Sequence, residues 1–171
     1  MIIYICDFIL ILFLGIVLTM QSGQKKYKKL YLVLAGTLLT ITLGFRASTV
    51  GEDTKEYLLI ATLSKSLSWN EIFSGFPRST WRVISYSGLA SYNAKIESGY
   101  LILNKIIMSI FDSPIAVQFI CATLTCLFIF KFIYENSDNI VMSVMGFIGE
   151  ALYMNAFNLQ RQILALAIGV N

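Results

Sequence analysis

The sequence predicts an all-α, polytopic integral membrane protein, and three observations support this prediction. Of its 171 residues, 57% are hydrophobic and 13% are charged, about half the charged fraction of a typical soluble domain. The mean hydropathy is +0.72. The apolar residues form long blocks, and about 20 successive apolar residues make a helix that crosses a bilayer. We expect a single membrane domain over residues 1–171, with about five transmembrane helices and additional short interfacial or re-entrant helices.

The first two apolar blocks predict two helices joined on the cytoplasmic side. The first runs from Ile2 to Met20, and no Lys or Arg precedes it, which favours a retained helix over a cleaved signal peptide. It is followed by a cluster of four lysines, Lys25, Lys26, Lys28 and Lys29. The positive-inside rule puts this lysine cluster in the cytoplasm. The second block, Leu30 to Phe45, returns outward and ends at Arg46.

Residues 46–99 are predicted to form an extracytoplasmic loop. Their six basic and five acidic residues balance, and long loops translocate largely regardless of charge. Asp53-x-x-Glu56 and Ser68-x-x-Glu71 resemble capping boxes, so each predicts a short helix. Ser79 to Asn93 is interpreted as an aromatic-rich loop near the membrane surface.

Two further apolar blocks differ in length. Tyr100 to Phe111 has 12 residues, about 18 Å as a helix, and is interpreted as interfacial or re-entrant. Pro114 to Tyr134 has 21 residues and predicts a full span.

The last apolar stretch requires a break. A continuous helix over 140–170 would be about 46 Å long, which exceeds the hydrocarbon thickness, so a break is expected near Asn155 to Asn158. Ile140 to Phe157 then returns outward, and Leu159 to Val170 begins another span. Because this run stops after 12 residues, the chain is expected to be the N-terminal part of a longer protein or a truncated reading frame.

The composition excludes several kinds of site. The chain has no histidine, which removes imidazole bases and His-ligated metals. Cys121 and Cys126 are five residues apart and face different sides of a helix, so they predict neither a disulfide nor a metal pair, and Cys6 is likewise read as a small hydrophobe. The net charge of +3 is too small and scattered for nucleic-acid binding. No metal and no cofactor are expected.

Polar residues at the outer ends of the blocks predict a water-filled site that opens outward. They are Arg46, Asp53, Glu97, Asn158 and Arg161. Each also has a structural interpretation: the arginines can anchor helices at headgroups, Asp53 and Asn158 can cap helices, and Glu97 can be an ordinary loop acid. Asp7 and Glu150 fall inside apolar blocks, where a carboxylate costs about 2.5–3.5 kcal/mol. Glu150, about 15 Å from Ile140, should be protonated or paired.

Three segments carry a family resemblance: GFRASTVGEDTKEY (44–57), ESGY (97–100) and NAFNLQRQILALAI (155–168). In this order they resemble the EpsG family of Wzy-like exopolysaccharide and capsule polymerases. The matching positions are Arg46, Gly51, Asp53, Thr54, Tyr57, Glu97, Gly99, Tyr100, Asn158, Arg161 and Gln162. Ser98 stands where the family often has proline. Family members are longer, and the resemblance covers their N-terminal half.

The resemblance implies polymerisation of lipid-linked oligosaccharide repeat units by glycosyl transfer at the outer face of the bacterial cytoplasmic membrane. It implies a catalytic carboxylate, Asp53 or Glu97, and a diphosphate held by Arg46 and Arg161. Tyr57 and Tyr100 would stack on sugars. The substrate-binding set is completed by Thr54, Asn158 and Gln162.

The implied partners are a polyprenyl-diphosphate-linked oligosaccharide, membrane lipid and other polysaccharide assembly proteins, without nucleic acid. The alternative function is a non-enzymatic transporter or flippase for the same lipid-linked sugars, or an accessory subunit of polysaccharide assembly.

Overall fold

Helices form most of the chain that the structure, a computed structural model, describes, namely residues 2–20, 25–73, 81–85, 88–92, 96–150 and 152–171. The helices are α1 (Ile2–Met20), α2 (Lys25–Gly44), α3 (Thr54–Ser66), α4 (Trp69–Phe73), α5 (Ser98–Phe111), α6 (Pro114–Asn136), α7 (Ile140–Gly149), α8 (Leu152–Asn158) and α9 (Gln160–Gly169). Two short strands, β1 (Trp81–Ser85) and β2 (Gly88–Tyr92), lie between α4 and α5. The all-helical prediction therefore holds for the described chain apart from one pair of strands.

The strands correct the interpretation of residues 79–93 as a loop. β1 and β2 pair antiparallel, with Trp81 opposite Tyr92 and Ser85 opposite Gly88. Aromatic and β-branched residues such as Trp81, Val83 and Ile84 favour extended backbone, which explains why this segment pairs. Residues 79–80, 86–87 and 93 of that interpretation lie outside the described residues.

The chain divides into two units, which are described separately. The first unit contains Met1–Lys55 and Gln118–Asn171, and the second contains Glu56–Val117. The assignment of residues 46–99 to the extracytoplasmic side stays a prediction.

In the first unit α2 and α6 run antiparallel in close contact. A Cβ on Gly36 would lie 2.9 Å from Phe130 Cδ2, and one on Gly44 would lie 2.6 Å from Phe119 Cδ2. These two glycines therefore let phenylalanine rings of α6 pack against the backbone of α2. Lys29 Nζ lies 5.5 Å from the centre of the Tyr134 ring near the end of α6. The lysine cluster and Arg46 are consequently at opposite ends of this helix pair.

Helices α7 and α8 pack on the same core, and the chain bends by 43° between them. Tyr153 of α8 donates a hydrogen bond of 3.0 Å from its hydroxyl to the Leu39 carbonyl of α2. A second break separates α8 from α9 at Leu159, just after the interval in which the sequence predicts one.

The bend changes the interpretation of Glu150. This residue is exposed and forms the C-cap of α7, with its backbone N–H donating to the Gly146 carbonyl. The span predicted from Ile140 to Phe157 is therefore bent rather than one straight helix, and the protonated or paired state of this carboxylate stays a prediction. Asp7, by contrast, is buried, and Thr42 near the Arg46 end of α2 hydrogen-bonds to it.

One described helix, α6, is long and apolar enough to cross a membrane, with a mean hydropathy of 2.0 over its best window. The bent pair α7 and α8 would count as a second if it forms one span. Shorter apolar helical segments run over Ile5–Leu18 and Ser98–Phe111. The predicted span at Pro114 is thus present, whereas the number of five spans is not confirmed.

The second unit shows that one predicted capping box forms. The Glu71 carboxylate accepts from the backbone N–H and the hydroxyl of Ser68, both at 2.7 Å, and Ser68 Oγ accepts from Glu71 N at 3.3 Å. The Ser68 hydroxyl and backbone N–H hold the pKa of Glu71 below its ordinary value.

Lys105 ties α5 to the end of α3. Its ammonium donates to the carbonyls of Lys65, at 3.2 Å, and Leu67, at 2.5 Å, where α3 has just ended. Cations are favoured at a helix C-terminus because the last carbonyls point there. Lys105 is therefore explained by the fold of this unit.

Candidate functional site

Arg46 is the central residue of the candidate site, and it is 8% exposed. Its guanidinium donates to three neutral oxygens: Nε to Thr54 Oγ1 at 3.0 Å, Nη1 to the Leu43 carbonyl at 3.2 Å and Nη2 to Gln160 Oε1 at 2.8 Å. The planar fork of arginine can point to three partners at once, which the ammonium of lysine cannot do in the same geometry. The cation therefore joins the end of α2 to the starts of α3 and α9.

The end of α2 explains why a cation is stable here. Arg46 follows the last turn of this helix, where carbonyl groups lack partners within the helix and the dipole is negative. Gln118 of α6 covers the same end, because its Nε2 donates to the carbonyls of Gly44 at 2.8 Å and Arg46 at 3.1 Å. The Arg46 guanidinium also lies 5.5 Å from the centre of the Phe157 ring. The backbone around the cation is thus held by α6, and the guanidinium itself contacts α8.

The loop from Arg46 to Asp53 packs on the junction between α8 and α9. The Glu52 backbone N–H donates to Asn158 Oδ1 at 2.9 Å. The Thr54 hydroxyl lies 2.6 Å from the Val50 carbonyl and 3.4 Å from the Phe157 carbonyl. The sequence allows Asn158 to be either a site residue or the cap of the last helix. In the structure its side chain binds this loop, and Leu159 is the N-cap residue of α9.

Gly51 makes this packing possible. Its φ is +87°, a backbone conformation that residues with a side chain rarely adopt. A Cβ at this position would lie 2.5 Å from the Phe157 carbonyl oxygen, 2.8 Å from Thr54 Oγ1 and 3.0 Å from Asn158 Oδ1. The glycine is needed both for the turn and for the close approach of the loop to α8.

Two buried glutamines, Gln118 and Gln160, are part of the site and were not predicted. Gln160 belongs to the buried face of α9, which is formed by Gln160, Ile163, Leu164 and Ala167. This i, i+3, i+4, i+7 spacing is legible in the sequence and turns Gln160 toward Arg46. Gln162, which was in the predicted set, lies on the exposed face of the same helix.

The structure brings together Arg46, Thr54 and Asn158 from the predicted set. Asp53 is partly exposed directly before α3, and Arg161 is partly exposed in the first turn of α9, next to Gln160. Both therefore lie beside the residues that Arg46 contacts.

Three predicted site residues, Tyr57, Glu97 and Tyr100, belong to the second unit. The rings of Tyr57 and Tyr100 are buried and pack edge to face, with 6.1 Å between their centres. Glu97 is exposed and is the N-cap residue of α5. Their roles in substrate binding and catalysis stay predictions.

The hydrogen bonds described above for the first-unit site join the chain to itself, since Arg46 donates to neutral oxygens and the Glu52 N–H donates to Asn158. Asp53 and Arg161 are partly exposed next to these residues in the chain, and binding of a diphosphate there stays a prediction. Among the described residues, no group of three or more His, Cys, Asp or Glu side chains could hold a metal ion.

Comparison with known proteins gives one match. A family model described as the EpsG family matches residues 29–170, which is most of the chain. The matched range includes the α2 end, the Gly51 turn and the α8–α9 junction. No curated protein and no solved structure matches the chain.

Proposed function

The chain belongs to the EpsG family, and from that premise we propose that it polymerises lipid-linked oligosaccharide repeat units at the outer face of the bacterial cytoplasmic membrane. Family membership implies a polysaccharide-polymerase-like function and a place in the membrane. The specific proposal is glycosyl transfer in the biosynthesis of an exopolysaccharide or capsule. The donor is a glycan on polyprenyl diphosphate, and the acceptor is a second lipid-linked repeat unit.

The contact between Arg46 and Gln160 carries this proposal. These residues are 114 positions apart in the chain, and they join the first and third segments of the family resemblance. The Glu52–Asn158 hydrogen bond joins the same two segments across 106 positions. Residues from the two segments therefore belong to one polar cluster, which supports a common role for the segments.

The orientation of the helices supports an outward-facing site. Arg46 and the lysine cluster lie at opposite ends of the α2–α6 pair, and positive residues favour the cytoplasmic side. We therefore propose that Arg46, Asp53 and Arg161 face the outer leaflet.

Five spans remain part of the proposal. α1 has 19 residues, about 28 Å of helix, and the part of α2 after the lysine cluster, residues 30–44, is about 22 Å long, compared with about 30 Å of hydrocarbon. With α6, with α7 and α8 taken as one bent span, and with α9 as the beginning of a fifth, they give the predicted number.

The proposed reaction needs a base and a cation. As the acceptor hydroxyl attacks the anomeric carbon of the donor, a carboxylate takes the hydroxyl proton and the bond from that carbon to the diphosphate oxygen breaks. The departing polyprenyl diphosphate keeps the electron pair of that bond. Arg46 and Arg161 stabilise its developing charge, because a guanidinium matches phosphate oxygens in two-pronged geometry.

Asp53 is proposed as the base on the first-unit geometry. It is partly exposed and directly precedes Thr54, whose hydroxyl accepts from Arg46. Glu97 is the second candidate and rests on the family resemblance.

The test of the function is complementation with the full-length gene in a strain that lacks its polymerase. The lipid-linked repeat units on each face of the membrane and the length of the surface polymer would both be measured. We expect the gene to restore long polymer, and a strain without it to accumulate single repeat units on the outer face. Accumulation on the cytoplasmic face would instead identify a flippase and would contradict the proposal.

A further inference from the structure

An apolar groove runs along the first unit between α2 and α6. Its volume is about 590 Å³, and it begins between Lys29 and Lys131 and extends to Ile41 and Phe119. From Lys29 to Ile41 the helix rises about 18 Å, slightly more than half of the roughly 30 Å hydrocarbon layer. The groove is therefore about as long as one leaflet is thick.

The two helices that form the groove meet where phenylalanines of α6 pack against glycines of α2. Phe130 packs against Gly36 and Phe119 packs against Gly44, which brings both rings close to the backbone of α2. Val33 and Leu127 on the rims are 62% and 61% exposed. Such an apolar surface suits a hydrocarbon chain.

The two ends of the groove differ in charge. Lys29 and Lys131 are both exposed at one end, and the Lys29 ammonium lies over the Tyr134 ring. Basic pockets between transmembrane helices on the cytoplasmic side bind anionic headgroups.

We propose that this groove is a binding site for one anionic phospholipid of the cytoplasmic leaflet. The phosphate lies between Lys29 and Lys131, and one acyl chain follows α2 toward Ile41. The inference uses the orientation proposed above and goes beyond the proposed activity, since the groove begins at the end of the α2–α6 pair opposite Arg46.

The test is native mass spectrometry of the purified full-length protein with equimolar phosphatidylglycerol and phosphatidylcholine of identical acyl chains. We expect phosphatidylglycerol to be retained at least about tenfold more than phosphatidylcholine. The double variant Lys29→Gln/Lys131→Gln should weaken phosphatidylglycerol binding about 25-fold, or about fivefold for each lysine. Lys26→Gln, which removes the same charge from α2 outside the groove lining, should change binding less than twofold.

A variant of the apolar part separates a lipid site from a simple phosphate site. Thr37→Phe fills the groove without touching either lysine, and it should weaken the binding of both lipids. Glycerol 3-phosphate, which has the headgroup charge and no acyl chains, should fail to displace phosphatidylglycerol at equal concentration.

Three results of the lipid measurements would overturn the proposal. These are equal retention of the two lipids, an effect of Lys26→Gln as large as that of the double variant, and displacement by glycerol 3-phosphate. A dimer that disappears in Thr37→Phe without any bound lipid would assign the groove to a second copy of the chain. Polymer synthesis in the complemented strain is scored separately, so this proposal and the proposed function can fail independently.

Discussion

Arg46→Lys in the full-length protein is expected to reduce polymer synthesis by about 100-fold or more. The substitution keeps the positive charge but removes the planar fork that binds Thr54, the Leu43 carbonyl and Gln160 together. A lysine at this position cannot hold those oxygens and also meet two phosphate oxygens of the leaving group. The measurement is the length and amount of surface polymer in a complemented strain, at matched protein level.

A matched control variant tests whether the loss of any positive charge near the site lowers polymer synthesis. Lys55→Gln removes an exposed positive charge in the first turn of α3, two residues from Asp53, and should leave polymer synthesis within about twofold of the wild type. Wild-type polymer from Arg46→Lys at normal protein level would remove Arg46 from the proposed reaction.

Gly51→Ala is expected to have the second largest effect. A side chain at φ +87° is strained, and its Cβ would lie 2.5 Å from the backbone oxygen of Phe157, which cannot move without moving α8. We expect a cost of about 2–4 kcal/mol in the stability of the loop, with loss of the Glu52–Asn158 hydrogen bond. Polymer synthesis should fall by at least about tenfold while part of the protein still folds.

Gly146→Ala is the control for Gly51→Ala, because here we expect no loss of stability or of polymer synthesis. Gly146 lies within α7, and a Cβ there would meet no atom within 4 Å. Alanine should therefore stabilise the helix by up to about 1 kcal/mol and leave polymer synthesis unchanged. Thermal unfolding of the detergent-purified variants measures both effects. Equal stability and activity of Gly51→Ala and wild type would contradict the packing described for this loop.

The helices of the apolar blocks can be predicted from the sequence because the length of an apolar run depends only on neighbouring residues. The block at Ile2 and the block at Pro114 correspond to α1 and α6, which end within two residues of the predictions. The break before α9 was predicted because a single helix would be too long for a bilayer. The bend at Glu150 was missed, since no proline marks it and the apolar pattern continues across it.

Part of the candidate site can be predicted from the sequence. Arg46 and Asn158 were selected for their positions at the ends of apolar blocks, and the structure puts both in one polar cluster with Thr54. Gln160 is not among the predicted residues, because its role depends on the helical phase of α9, which puts Gln160 on the buried face and Gln162 on the exposed face. Gln118 could not have been selected, since its role depends on two carbonyls more than 70 positions away in the chain.

The central claim is that the Arg46 loop and the α8–α9 junction lie together at the outer face of the membrane, opposite the lysine cluster. Single cysteines would replace Ser48, Asn155 and Lys26, three exposed positions, in a full-length protein whose native cysteines are changed to alanine and which still makes polymer. A membrane-impermeant maleimide should label Ser48→Cys and Asn155→Cys in intact cells, and Lys26→Cys only after permeabilisation. Labelling of Ser48→Cys and Asn155→Cys from opposite faces would contradict the account.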